Sequence, residues 1–214
     1  MTDLTHPMAP KCAPVVHIVD DDQGLREALV RLVRSVGYEA RPHGSVKAFL
    51  SAARRAVPSC ILLDVRLPDM SGLELQANLA KADIAHPVIM MTGYADIPMS
   101  VRAMKAGAID FLTKPFRDQD LLDAVAAAVE RDRLRLEQQH VRSELDARYG
   151  SLSQREREVL AGIVDGLMNK EIAHRLGLSI VTVKAHRGSL TRKMGAVGAA
   201  DLVRAAQLLG LDAR

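Results

Sequence analysis

Residues 15–22 read VVHIVDDD: five residues dominated by Val and Ile, then three aspartates without a break. A short β-branched run with an abrupt polar stop has the signature of a strand buried on both faces. Three more runs end in the same way. Cys60–Leu63 stops at Asp64, Val88–Met91 at Thr92, and Ile109–Leu112 just before Thr113 and Lys114. The stretches between them have helical spacing. Gln23–Val36 places Leu25, Leu29, Leu32 and Val36 along one side, and Gly37 then stops the helix. Tyr38–Arg41 reads as a second, poorer strand, and Ser45 as the cap of a helix carrying Val46, Phe49 and Leu50. A turn-rich loop over residues 66–72 leads into a helix ending near Ala82, and Pro98 suits the first turn of the next. Five such βα units imply an α/β doubly wound, five-stranded parallel sheet.

In an open parallel sheet, ligands bind outside the carboxyl ends of the strands. Asp20, Asp21, Asp64, Thr92 and Lys114 are therefore expected in one crevice, although they are scattered over residues 20–114. Clustered carboxylates repel unless a cation sits among them. Hard oxygen ligands with few protein contributions suit Mg²⁺, which keeps waters and joins a phosphate. The set reads as a phosphoryl-transfer site. Asp22 is read as a helix cap, His17 and His43 as structural, and the methionines, Met90 and Met91 among them, as core filler.

Beyond residue 118 neither Pro nor Gly occurs until Gly150, and Ala, Leu, Glu, Gln and Arg predominate. One long helix is expected, its first part packing on the sheet through Leu121, Leu122, Val125 and Val129. Farther on, Leu134, Val141 and Leu145 share a narrow seam that suits either a short coiled coil or a solvated spacer. From Ser153 the pattern is helical throughout, with Glu156 three residues after Ser153 as in a capping box. Helices are expected over Asn169–Leu176, Ile180–Met194 and Ala199–Leu209. Gly177-Leu178-Ser179 separates the first two by a turn of helix-turn-helix length.

At 214 residues the chain is long enough for one large domain or two smaller ones. Its apolar content of 48% supports a proper core, and no apolar run approaches a membrane-spanning length. The N-terminal residues lack the apolar stretch of a signal peptide. Cys12 and Cys60 form no ligand cluster, so free thiols in a reducing cytoplasm are expected. With no Trp and 3% aromatics, a stacking platform for single-stranded nucleic acid is disfavoured. Residues 151–214 carry 10 Lys and Arg against 6 Asp and Glu, which suits a polyanion and is also ordinary for a solvated surface.

VHIVDDDQGLR, LDVRLPDMSG, MTGYAD and DFLTKPF together resemble the receiver domain of two-component response regulators, with a flavodoxin-like fold. The resemblance implies that Asp64 is the phosphoacceptor and that Asp20, Asp21, Asp64 and the backbone oxygen of Arg66 hold Mg²⁺. It assigns the switch to Thr92 and Phe111, makes Lys114 the charge-balancing lysine, and likens the Lys114–Pro115 bond to one that is cis in the family. A rival reading rests on the Asp-x-Asp of Asp20–Asp22, which resembles the opening motif of aspartate-dependent phosphatases. It lacks their second acidic pair, since the fourth strand ends in Thr92.

The stretch LSQREREVLAGIVDGLMNKEIAHRLGLSIVTVKAHRGSLTRKM resembles the LuxR-type helix-turn-helix of FixJ and NarL regulators. With Val183 taken as facing inward, a turn of about 100° per residue also points Leu190 and Met194 inward. Lys184, Ala185, Gly188, Ser189 and Arg192 then face outward. Lys184 is the expected base contact, because lysine can donate to guanine. Thr182, Ser189, Arg192 and Lys193 are expected at phosphates, with Arg187 at the edge of that arc. Gly188 stands where relatives carry a long basic side chain.

Four segments are thus expected: a flexible tail (1–14), a receiver domain (15–130), a helical linker (131–150) and a LuxR-type helix-turn-helix domain (151–214). The reading is a cytoplasmic transcription regulator phosphorylated by a sensor histidine kinase. It would pair into a homodimer on double-stranded DNA, with RNA polymerase as a further partner, and would not be a conventional enzyme. The alternative is a phosphorylation-independent DNA-binding regulator whose receiver is only a dimerisation scaffold.

Overall fold

The computed structural model describes residues 13–52, 56–81, 86–94 and 96–211. All but Ala13 and Pro14 of the expected tail lies outside them, as do Cys12 and the expected helix end at Ala82. The chain divides into two compact units, residues 1–136 and 137–214.

In the first unit, β1 (Val15–Val19), β2 (Glu39–His43), β3 (Ser59–Asp64), β4 (Val88–Thr92) and β5 (Asp110–Thr113) form one parallel sheet in the order β2-β1-β3-β4-β5. Alternate strand residues supply two cores. Val16, Ile18, Leu62, Ile89 and Met91 meet Leu29 and Val33 of α1 (Gln23–Ser35) and Leu121, Val125 and Val129 of α5 (Asp118–Gly150). Val19, Ile61, Leu63 and Met90 meet residues of α2 (Val46–Leu50), α3 (Gly72–Lys81) and α4 (Ile97–Lys105). The chain leaves β1 for β2 on one side and returns to β3 on the other. The strand order therefore reverses between β1 and β3, which is where a doubly wound sheet opens a crevice.

Several limits shift by a residue or two from the expected ones. The second strand begins at Glu39 because the Tyr38 N–H is used at the end of α1, bonding to the Val33 carbonyl at 3.2 Å. Its Pro42 is tolerated because β2 is an edge strand. Val36 follows α1 as its C-cap and is 49% exposed, so Val33 takes the core place expected of it. Leu50 is likewise exposed. The expected caps form: Asp22 accepts from the Leu25 N–H and Ser45 from the Ala48 N–H. His17 Nδ1 lies 3.1 Å from His43 Nε2, with the Phe49 ring edge-on to both, a packing role for both histidines.

The fifth helix is continuous over 33 residues, roughly 50 Å at 1.5 Å per residue. Asp132, fully buried on it, accepts from the backbone N–H of Ser59 at 2.9 Å and from Arg135 Nε at 2.8 Å. This ties α5 to the start of β3. Nearby Cys60 is buried, and burial, with the Asp132 charge, pushes its thiol up to about 12. Leu134 and Val141 are exposed, whereas Leu145 and Tyr149 pack into the core of the second unit.

That second core joins α6 (Gln154–Val164), α7 (Asn169–Leu176), α8 (Ile180–Met194) and α9 (Ala199–Leu208). The capping box of Ser153 and Glu156 opens α6. Gly177 ends α7 in the left-handed region at φ +65°, which a side chain would strain, and so permits the short turn into α8.

Candidate functional site

Each polar group of the crevice is placed by the strand that precedes it. Asp20 follows β1, Asp64 and Thr92 are the last residues of β3 and β4, and Lys114 follows β5. The Lys114 N–H donates to the Thr92 carbonyl at 2.7 Å, and the Lys114–Pro115 bond is cis. The lysine ammonium then reaches back across the sheet end. Its Nζ lies 2.6 Å from Asp20 Oδ2 and 2.7 Å from Asp64 Oδ2, joining residues 94 and 50 positions away.

The remaining oxygens are held locally. Asp20 Oδ1 accepts from the Asp22 N–H at 2.9 Å, and Asp64 Oδ1 from the Arg66 N–H at 3.1 Å. Asp20 is fully buried, Asp64 nearly so, and Asp21 exposed. Burial pushes the Asp20 carboxyl up against the opposing pull of Lys114. For Lys114, burial favours the neutral amine, but its bonds to Asp20 and Asp64 prevail and raise it.

One carboxylate oxygen from each of Asp20, Asp21 and Asp64 lies within 4.8 Å of the others. Three carboxylates face one ammonium, all hard oxygen donors, and a buried member resists ionisation. That donor set fits a divalent cation such as Mg²⁺. Arg66 stands two residues beyond Asp64, with its guanidinium 4.2 Å from the centre of the Tyr94 ring. Thr92 is fully buried and its hydroxyl is engaged by the backbone of Tyr94, accepting from the N–H at 3.2 Å. Phe111, on β5, is half-buried against the core that contains Met90.

Two contributors escaped the sequence reading. Arg26 Nη1 donates to the Asp20 carbonyl at 2.7 Å and steadies the strand end. Gly72 brings α3 against the chain just past β3: its N–H bonds the Val65 carbonyl, and a Cβ there would overlap the Asp64 carbonyl oxygen. A glycine between a strand-end loop and a helix start is the signal that could have marked it.

In the second unit, Ser179 caps α8, accepting from the Thr182 N–H at 3.0 Å. Val183, Leu190 and Met194 are buried, as the helical phase requires. Lys184, Ala185, Gly188 and Arg192 are exposed on the other side. Thr182, Arg187 and Ser189 are half-buried. Arg187 Nη1 donates to Asn169 Oδ1 at 2.7 Å, linking α8 to α7. Lys193 is exposed, but its Nζ donates to Glu156 Oε2 at 2.7 Å and to the Ser151 carbonyl at 3.3 Å. Its charge is thus already shared with a buried carboxylate. That contact joins residues 37 apart, and no local pattern announces it.

Comparison with known proteins agrees with this geometry. Residues 16–126 match the response regulator receiver domain, and residues 150–206 match the luxR family of bacterial regulatory proteins. This chain is a response regulator of the FixJ type, with a LuxR-type DNA-binding domain. It is 50% identical to Nodulation protein W of Bradyrhizobium diazoefficiens over 93% of this chain and 88% of that protein. With the transcriptional regulatory protein FixJ of Azorhizobium caulinodans it shares 45% identity over 94% and 95% of the two chains. A solved structure of the response regulator StyR matches with a TM-score of 0.84 at 41% identity, over 92% of this chain and 99% of that one. The chain is therefore a response regulator transcription factor. Among its described residues, no helix is long and apolar enough to cross a membrane.

Proposed function

We propose that, in the cytoplasm, Asp64 accepts a phosphoryl group from the phosphohistidine of a sensor histidine kinase. A P–O bond forms to an Asp64 carboxylate oxygen as the P–N bond breaks, and the kinase imidazole leaves. The observation that carries this reading is the bridging of Asp20 and Asp64 by Lys114, 2.6 and 2.7 Å away, at the strand ends. Asp20, Asp21, Asp64 and the Arg66 backbone oxygen would hold Mg²⁺, which supplies positive charge to the phosphoryl oxygens when bound. Lys114 offsets the remaining charge and keeps Asp64 in position. The Thr92 hydroxyl then hydrogen-bonds the phosphoryl oxygen, and Phe111 turns into the space it leaves. The repacked α4–β5 surface favours a homodimer, a charge change that biases a two-state element.

Pairing two helix-turn-helix domains raises their effective concentration on paired half-sites of duplex DNA. Lys184 meets a base there, Thr182, Arg187, Ser189 and Arg192 hold the backbone, and RNA polymerase is recruited beside them. The exposed Leu134 and Val141 on α5 favour a second reading, in which the dimer forms without phosphorylation. One experiment separates the two. The intact protein is incubated with Mg²⁺ and radiolabelled acetyl phosphate, and label and oligomeric state are followed together. Acid-stable, base-labile label on wild type, absent from Asp64→Asn, with pairing that follows the label, supports the proposal. Equal label on Asp64→Asn overturns it, and a dimer that ignores the label favours the second reading.

A further inference from the structure

The groove-facing side of α8 is unusual in what it lacks. At about 100° per residue, Val181, Ala185, Gly188 and Arg192 fall within an arc of about 60° opposite the buried Val183. They define the outermost line of the helix. Over its first two turns that line carries no hydrogen-bond donor or acceptor beyond the backbone. Val181 is 77% exposed, and Ala185 and Gly188 are exposed with it. Lys184 stands to one side. On the other, Thr182 is bonded to Ser179 at 2.8 Å, and Ser189 donates to Glu156.

Gly188 adds an independent observation. A Cβ there would meet nothing within 4 Å, and the residue has no left-handed backbone that would demand glycine. In a helix interior glycine costs about 1 kcal/mol relative to alanine. Among the described residues, neither packing nor backbone geometry accounts for it. A surface that must come close to α8 from outside does.

The N-terminal part of a recognition helix meets base edges in the major groove. There the apolar group a base pair offers is the C5-methyl of thymine. We propose that Val181 and Ala185 read a thymine methyl in each half-site, and that Gly188 lets the helix backbone approach closely enough for them to do so. This rests on the DNA-binding reading of α8 and specifies which chemistry it recognises there. Lys184 supplies the polar readout to one side of this strip, and Arg192, farther along the same line, reaches the DNA backbone.

The test uses the full-length protein, with bound duplexes first selected from a random library. Each thymine of the selected half-site is then replaced by deoxyuridine, which removes the methyl and keeps every hydrogen bond. One or two positions should lose affinity by about fourfold per half-site, the effect of exposing one methyl-sized group. Val181→Ala, at an exposed position where it does not threaten folding, should bind the thymine and uracil duplexes alike. Gly188→Ala should keep or raise resistance of the C-terminal unit to urea while weakening binding several-fold. Full discrimination by Val181→Ala, or no methyl-sensitive position at all, overturns the proposal. If selection enriches no duplex, the DNA-binding reading of α8 itself fails, a distinct result.

Discussion

Replacing Glu156 with glutamine should lower the stability of the C-terminal unit by about 2–3 kcal/mol at pH 7. The side chain is 5% exposed, and Oε2 accepts from Lys193 Nζ and from the Ser153 N–H, both at 2.7 Å. The bond to Lys193, then those to Ser189 and Ser153, hold its carboxyl at about 2 instead of the usual 4.5. At about 1.4 kcal/mol per unit, that displacement corresponds to about 3 kcal/mol at neutral pH. Glutamine keeps a carbonyl acceptor and so retains part of it. Because the folded value is depressed, the contribution is complete above about 4.5 and is lost as pH falls through about 2. Amide hydrogen exchange in the intact protein, read on α6 and α8, isolates this unit from the receiver. Protection in the variant should fall about a hundredfold at pH 7. By pH 3 the free-energy gap to wild type should shrink by more than half. Equal protection at pH 7, or a gap unchanged at pH 3, would refute the role given to Glu156.

Lys114→Met removes the ammonium between Asp20 and Asp64 and leaves a buried carboxylate without its counter-charge. Receiver stability in Mg²⁺-free urea titrations should fall by on the order of 3 kcal/mol and recover substantially when Mg²⁺ is added; an unchanged midpoint without Mg²⁺ would contradict this. Gly72→Ala places a methyl group on the Asp64 carbonyl oxygen, so the loop must shift. A loss of about 1–3 kcal/mol and slower uptake of label from acetyl phosphate are expected, and wild-type kinetics would show the close approach to be irrelevant.

The crevice was legible because strands buried on both faces read as unbroken apolar runs. Where such a run stops, the next polar residue must sit at the sheet end. Asp64 and Thr92 proved to be the final residues of β3 and β4, so the stop marked the position to within one residue. The phase of α8 was equally plain, because Val183, Leu190 and Met194 fix it by themselves. Contacts made at a distance were not legible. Lys193 looked like any lysine late in a basic helix, yet it serves Glu156 from another helix. Val36 kept the helical spacing but fell one residue beyond the last turn, where solvent reaches it. Asp132 had nothing to distinguish it from the charged residues around it, and only the β3 backbone shows why it is buried.

The hydrogen bonds of the crevice also constrain how a phosphoryl group could alter the receiver. Both oxygens of Asp64 are in use: Oδ1 by the Arg66 N–H and Oδ2 by Lys114. Whichever oxygen bonds to phosphorus gives up acceptor capacity toward one of these donors, and the new phosphoryl oxygens are the nearest replacements. Thr92 is in the same position, because its hydroxyl now accepts from the Tyr94 N–H and lies 3.4 Å from the Tyr94 carbonyl. Drawing the hydroxyl toward a phosphoryl oxygen frees the backbone of Tyr94. The Tyr94 ring lies under the Arg66 guanidinium, whose own backbone is held by Asp64. The loops after β3 and β4 are therefore linked twice, through Asp64–Arg66–Tyr94 and through Thr92–Tyr94. A charge added at Asp64 would disturb both links at once, and Tyr94, 68% exposed, would carry part of that disturbance to the surface.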